Sequence, residues 1–218
     1  YETFYSWSRK PSKVNNNILV VKNNYLLQEH IQNQNGLVVV AIHNRSIDML
    51  LSWINSQTRT VSLYKKIKLK ILDKYVRKIR ENKINKTFET SVAGVREIFK
   101  SLKNKEVIAI ASDQVPARGN GEYVQLFGRM AYTTTLVPKL ACKTKKPVIF
   151  CCINSIESSN YLSVNIEPAH NDLFDRSECL LSMNNSIEKL INTKLSDYSW
   201  EYKRFRRPMV GEADPYKD

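Results

Sequence analysis

The feature that most constrains the fold is an apolar run at positions 37–42, followed at once by a polar segment. Four of its six residues are β-branched, a pattern typical of a strand buried on both faces. After Asp48 the apolar residues recur with a helical period, which predicts a helix at residues 47–55 with Ser46 as its N-cap. The segment therefore predicts a buried strand, a turn and a helix.

His43 stands at the carboxyl end of this strand, where α/β proteins place ligands. Asp48 follows in the first turn of the predicted helix. On one continuous helix the two would lie about 140° apart, but they can meet if His43 lies on the preceding turn. A carboxylate on one imidazole nitrogen fixes the tautomer and frees the other nitrogen as a base. The pair is a candidate catalytic dyad, but short motifs often match by accident, and taken alone this one favours an ordinary strand–helix junction that happens to contain a histidine.

Strand and helix patterns alternate along the rest of the chain. Further strands are predicted at residues 17–21, 60–63, 107–111, 148–153 and 162–166, and further helices at residues 68–81, 91–103, 134–143 and 178–195. This alternation predicts an α/β fold: one domain over residues 1–218, with a mostly parallel mixed sheet flanked by helices.

The chain is strongly basic. Its 34 lysines and arginines against 21 acidic residues give a net charge of +13, which favours an anionic partner. The helix at 68–81 carries cations on one side and apolar residues on the other, and the tail at 200–207 mixes aromatic residues with cations; both suit an anionic membrane surface. Nucleic acid is not expected, because no motif for binding it is recognisable. A basic nucleic-acid-binding module stays an alternative that would explain the charge, but it would leave His43 and the segment at 113–135 without a role. The four cysteines lack zinc-ligand spacing, so no metal is expected.

A second informative segment begins where the strand at 107–111 ends. Asp113 and Gln114 place two polar groups where a neighbouring strand would place His43. A loop is predicted at 113–121, and the threonines at 133–135 are suited to capping the helix that follows.

The order of these segments closely resembles the bacterial lipid A biosynthesis (lauroyl/myristoyl) acyltransferase family. The resemblance rests on a histidine followed five residues later by aspartate, and on "GVREIFKSLKNKEVIAIASDQ", "FGRMAYTTT", "KLACKTKKPV" and "WEYKRFRRP". It implies the α/β fold of the glycerolipid acyltransferases. It also implies transfer of an acyl chain from acyl carrier protein to a hydroxyl of a lipid A precursor, a late acylation in lipopolysaccharide biosynthesis at the cytoplasmic face of the inner membrane.

Two features depart from the family. Its members usually begin with a membrane-anchoring helix, which we expect to be absent or truncated here. The segment between His43 and Asp48 is closer to the glycerol-phosphate branch of the superfamily. A phospholipid or glycolipid acyltransferase therefore stays an alternative, as does a thioesterase that uses the same dyad with water.

The resemblance also implies roles for individual residues. His43 would be the general base and Asp48 would orient its ring. Backbone amides at the start of the helix that follows His43, and less directly Arg45, would stabilise the oxyanion. The donor is an activated thioester of acyl carrier protein or coenzyme A, so no cofactor is expected. The residues expected to bind substrate are Arg45, Arg96, Asp113, Gln114, Phe127, Gly128, Thr133, Thr134 and Arg207.

Overall fold

The computed structural model describes residues 2–217 as an α/β fold. The helices are α1 (Glu2–Ser8), α2 (Pro11–Asn15), α3 (Asn24–Gln32), α4 (Ile47–Gln57), α5 (Lys70–Arg80), α6 (Val92–Lys103), α7 (Leu136–Thr144) and α8 (Cys179–Asn192). The strands are β1 (Ile18–Lys22), β2 (Leu37–Ala41), β3 (Thr60–Tyr64), β4 (Lys86–Glu89), β5 (Val107–Ala111), β6 (Gly121–Leu126), β7 (Arg129–Thr134), β8 (Val148–Ser155) and β9 (Leu162–Pro168).

Seven strands form the main sheet in the order β1-β9-β8-β2-β5-β3-β4. Neighbouring strands are parallel except β8 and β9, which are antiparallel. The predicted mostly parallel mixed sheet is therefore confirmed. Strand β2 lies between β5 and β8 and every one of its residues is buried, as its continuous apolar run predicts.

Helices cover both faces of the sheet. On one face, α6, α7 and α8 contribute side chains such as Ile98, Leu140 and Ile187 to the core. On the other face, α2, α3 and α4 contribute side chains such as Leu27 and Trp53. The carboxyl edge of the parallel strands stays accessible between these layers, and it is there that β2 and β5 end side by side.

Residues 121–134 differ from the prediction, because they form an antiparallel hairpin of β6 and β7. The predicted helix from residue 134 begins only at Leu136. Phe127 and Gly128 form the two-residue turn, with φ of 50° and 71°. Positive φ at both central positions is the type I′ pattern that matches the twist of a hairpin. The helices α1, α2 and α3 and the strand β4 were not predicted either.

Candidate active site

His43 and Asp113 come together at the carboxyl edge of the sheet. The Nδ1 atom of His43 lies 2.8 Å from Oδ1 of Asp113, and the backbone N–H of His43 donates to Oδ2 of the same carboxylate at 3.0 Å. The Asp113 side chain is almost fully buried, whereas a fifth of the His43 side chain is exposed. Adjacent strands bring the two together, because Ala41 at the end of β2 pairs with Ala111 at the end of β5.

The two groups shift each other's titration. Burial lowers the pKa of His43, but the charge and hydrogen bond of Asp113 outweigh burial and the net pKa is raised above 6.5. Burial raises the pKa of Asp113, yet the contact with His43 brings its net pKa below 3.8. Within residues 2–217 the His43 ring makes its hydrogen bond through Nδ1, so Asp113 fixes the tautomer and leaves Nε2 as the basic nitrogen.

The partner of the His43 ring is thus Asp113, and the expected contact with Asp48 is wrong. The carboxylate of Asp48 accepts instead from Nε and from a terminal nitrogen of Arg80, both at 2.7 Å. Asp48 lies in the first turn of α4, whose N-cap is Ser46 as predicted, and there its carboxylate faces the end of α5. Asp48 still acts on His43 through its charge, which raises the pKa of the imidazole by less than Asp113 does.

The turn that carries His43 is held by the C-terminal part of the chain. The carbonyl of His43 accepts from the N–H of Ser199 at 3.0 Å, and the N–H of Arg45 donates to the carbonyl of Asp197 at 2.7 Å. Arg45 itself has a φ of 52°, an uncommon conformation for a residue with a side chain. Segment 197–199 therefore holds this turn in place through two backbone hydrogen bonds.

Segment 197–199 also lies near Asp113. Burial, together with the nearby charge of the Asp113 carboxylate, raises the pKa of the Tyr198 hydroxyl. The buried guanidinium of Arg204 donates to the carbonyl of Tyr132 at 3.0 Å and to Oγ1 of Thr133 at 2.8 Å. The predicted basic tail is thus in part a structural segment packed behind the His43–Asp113 pair.

His43 opens into a cleft of about 1490 Å³, larger than the roughly 300–1,000 Å³ of an ordinary small-molecule pocket. Nine cations line it, and none of its lining residues is an aspartate or glutamate within the described chain. The cations are Lys65, Arg80, Arg96, Lys100, Lys103, Lys139, Lys143, Arg206 and Arg207. The cleft also has apolar walls, including Leu51, Leu63 and Phe99. It is suited to a molecule that is both anionic and apolar.

Four of the residues expected to bind substrate line this cleft: Arg96, Gln114, Thr134 and Arg207. Asp113 is not among the residues that line the cleft; it lies behind His43 and is hydrogen-bonded to it. Arg207 also donates to the carbonyl of Pro116 at 2.6 Å, which fixes its position at the wall.

The other four expected residues do not line the cleft. The guanidinium of Arg45 is paired with Glu2 and lies 3.7 Å from a carboxylate oxygen of Asp197. Phe127 packs against Trp200, with ring centroids 5.8 Å apart, and its neighbour Gly128 completes the hairpin turn. The hydroxyl of Thr133 donates to the carbonyl of Ala131 at 2.9 Å. The contacts that the structure shows for these residues are all within the chain, and their roles in substrate binding stay predictions.

Within residues 2–217 no group of three or more His, Cys, Asp or Glu side chains is arranged to hold a metal ion. None of the helices in that range has the length and apolarity of a membrane span.

Comparison with known families matches residues 1–207 to bacterial lipid A biosynthesis acyltransferases. The chain belongs to this family. It is also similar to the lipid A biosynthesis acyltransferase of Haemophilus influenzae, with 23% identity over 211 residues. That alignment covers 94% of this chain and 66% of the relative, so the chain spans about two thirds of the relative's length. In this member of the family, His43 is held by the carboxylate of Asp113, which follows the neighbouring strand β5.

Two residues of this candidate site were not predicted from the sequence, Arg80 and Tyr198. Arg80 is one of the cations of the predicted basic helix at 68–81, but it is the last residue of α5 and its side chain reaches back to Asp48. Tyr198 gave no signal, because only the folded C-terminal segment brings it to Asp113.

Proposed function

We propose that the chain transfers an acyl group from a thioester of acyl carrier protein to a hydroxyl of a lipid A precursor, with His43 as general base. This proposal rests on the hydrogen bond between His43 and Asp113. The pair lies at the opening of a cleft that is lined by cations and by apolar side chains. Membership of the lipid A biosynthesis acyltransferase family supports the reaction class.

The reaction begins with the free Nε2 of His43, which takes the proton of the acceptor hydroxyl as its oxygen attacks the thioester carbonyl. Asp113 stabilises the imidazolium that forms. When the tetrahedral intermediate collapses, the carbon–sulfur bond breaks and the thiolate leaves with the proton from His43. The products are an ester and a free thiol. Base catalysis of this kind contributes on the order of 10²–10⁴-fold.

The developing oxyanion needs donors or a cation. The N–H groups of Asn44 and Arg45 are bonded to backbone carbonyls, and the N–H of Met49 is bonded to Ser46, so these amides are occupied. The N–H groups of Ile47 and Asp48 at the start of α4 stay candidates, and Arg80 is a further one, because it lines the cleft and its charge acts on the pKa of His43. In this proposal Asp48 is a positioning residue that holds Arg80, and the cleft cations Lys65, Arg206 and Arg207 hold the phosphates of the acceptor.

The proposed place of action is the cytoplasmic face of the inner membrane. A patch of exposed apolar side chains supports it: Leu69, Ile71 and Tyr75 at α5, and Phe4 of α1, are between 48% and 81% exposed. The hydroxyl of Tyr75 donates to the carbonyl of Trp7 at 2.9 Å, which joins the two helices. Exposed lysines of α5, including Lys70 and Lys74, flank the patch. This combination suits an anionic bilayer.

The proposed function is tested by following the acyl group. The protein is incubated with labelled acyl carrier protein and a lipid A precursor, with His43→Ala as the control. The expected result is a lipid heavier by one acyl chain with the wild type, and none with the variant at an unchanged circular dichroism spectrum. Thioester loss that is independent of the lipid would indicate a thioesterase. Transfer only to a lysophospholipid would indicate the glycerolipid branch.

A further inference from the structure

The strongest unassigned feature is a groove between α6 and α7 that continues outward from the catalytic cleft. Arg96, Lys100 and Lys103 recur at the spacing of one helix face on α6, and Lys139 and Lys143 do so on α7. All five are exposed and line the cleft. None of them is among the ion pairs formed within residues 2–217. The groove therefore has a positive field that the described chain does not neutralise.

The groove is a continuous surface formed by both helices. The Nζ atom of Lys143 lies 5.2 Å from the ring centroid of Phe99, so the side chains of α7 and α6 meet across it. Glu97 is an acid on α6, but it is not among the lining residues. The twelve residues of α6 span about 18 Å. This helix runs antiparallel to β5, so Val92 lies near the carboxyl edge that holds His43 and Lys103 lies at the opposite edge.

The chemistry of the groove distinguishes between anionic partners. A bilayer surface would need exposed apolar side chains to insert, and Val92 is the one large apolar side chain above a third exposed among the described lining residues. The patch around Leu69 and Ile71 meets that need at α5. A groove of exposed cations over a half-buried Phe99 suits instead the acidic surface of a water-soluble protein.

We propose that the α6–α7 groove docks the acidic carrier protein that delivers the acyl thioester. This inference rests on the proposed function, which requires such a donor. A carrier seated on the outer cations would send its flexible thiol arm along the groove towards His43. The five cations would then speed encounter and fix the carrier's orientation, and the thioester itself would be recognised inside the cleft.

The test compares two donors, acyl carrier protein and the acyl thioester of pantetheine, which has no protein part. The variant Lys100→Glu/Lys139→Glu reverses one charge on each helix. The control Lys10→Glu/Lys13→Glu makes the same change of charge at exposed positions around the start of α2. The measured quantity is kcat/KM for the carrier divided by kcat/KM for the small thioester.

We expect this ratio to fall on the order of tenfold in the groove variant, and to stay within about twofold of wild type in the control. The KM for the carrier should rise with salt in the wild type, and less steeply in the groove variant. The variant Lys100→Gln/Lys139→Gln should give a smaller change in the same direction, and it replaces the Glu variant if that does not fold.

A ratio equal to that of wild type in both groove variants would overturn the proposal, as would an equal fall in the control. Loss of binding to anionic vesicles with an unchanged ratio would assign the groove to the membrane. The proposed function fails separately, if the wild type transfers acyl groups from neither thioester. In that case, titration of the unacylated carrier against wild type and variant still tests docking, and equal binding by both would overturn it.

Discussion

His43 and Asp113 are joined at two points, since both oxygens of one carboxylate are bonded to the same histidine, one to the ring and the other to the backbone N–H. This bidentate contact fixes the ring relative to the end of β2. It also places a buried negative charge on the side of the ring that faces away from the cleft. The arrangement favours a base whose other nitrogen faces the substrate.

Asp113→Asn is predicted to lower kcat/KM by on the order of 10²–10⁴-fold, because it removes the charge that stabilises the imidazolium. The acid limb of the pH profile should also move to lower pH. Burial of His43 still lowers its pKa in the variant, whereas the carboxylate that raises it is gone. Rates measured from about pH 5 to pH 9 check this, and a limb at the wild-type position would contradict it.

The same pair makes stability depend on pH. The raised pKa of His43 contributes stability that is present below 6.5 and lost as the pH rises through the folded-state value. The lowered pKa of Asp113 contributes stability that is present above 3.8 and lost as the pH falls. The free energy of unfolding of wild type minus that of Asp113→Asn should therefore be largest between these two values. Urea unfolding at about pH 5.5 and about pH 8.5 measures it; an equal difference at both would exclude this linkage.

Asp48 and Arg80 are predicted to act as a unit. Removing either leaves a largely buried charge without its partner, so each alanine variant should lose about 1–3 kcal/mol of unfolding free energy. The double variant should lose less than the sum of the two, with a coupling energy of roughly 0.5–3 kcal/mol. Additive losses would contradict the pairing.

The pH profile separates the two carboxylates. Asp48→Asn should reduce activity through Arg80 but move the acid limb less than Asp113→Asn does, because Asp48 has no hydrogen bond to the ring. If Asp48→Asn moved the acid limb more than Asp113→Asn did, Asp48 would be the main partner of the His43 ring, as the sequence predicted.

The sheet could be predicted from the sequence because its central strands are apolar along their whole length. The apolar run at 37–42 fits only the interior of a sheet. It therefore predicted a buried strand with His43 at its end. The proximity of Asp113 was also predictable, since parallel neighbours end at the same edge. The hairpin was missed because its turn uses Phe127 at positive φ, where asparagine or glycine is the usual signal.

The choice of partner for His43 could not be made from spacing. Asp48 is only five residues away, yet the helix start directs it to Arg80, which lies 32 residues farther along the chain. Asp113 is 70 residues from His43 and meets it through the sheet. Tyr198 arrives only when the C-terminal segment folds back. Contacts of this kind depend on tertiary structure that local patterns do not encode.

Tyr198→Phe is predicted to move the acid limb in the opposite direction from Asp113→Asn. The hydroxyl of this buried side chain lies close enough to the Asp113 carboxylate for that charge to raise the pKa of Tyr198. Without the polar hydroxyl the carboxylate charge is less stabilised, so it attracts the imidazolium more strongly and the pKa of His43 rises. Activity at a given pH below the limb should fall modestly. Tyr123→Phe is the control, since its hydroxyl donates to the carbonyl of Pro208; the same shift in both variants would contradict the role of Tyr198.

The apolar patch at α5 is predicted to bind anionic vesicles. Leu69 and Ile71 are 62% and 81% exposed, and burying such side chains contributes up to about 1.5–3 kcal/mol each. Leu69→Ser/Ile71→Ser should therefore weaken vesicle binding on the order of tenfold to a hundredfold, while the lysines keep the remaining binding sensitive to salt. Vesicle flotation at two salt concentrations measures both effects.

The control for the patch is Leu19→Ser/Val20→Ser, which removes two exposed apolar side chains from β1. Strand β1 is at one edge of the sheet, and β4, which follows α5 in the chain, is at the other. If the patch is the membrane surface, the control binds vesicles as the wild type does, because its changed residues face away from the bilayer. Equal losses in both variants would mean that general surface hydrophobicity drives binding, and the orientation of α5 towards the membrane would have to be abandoned.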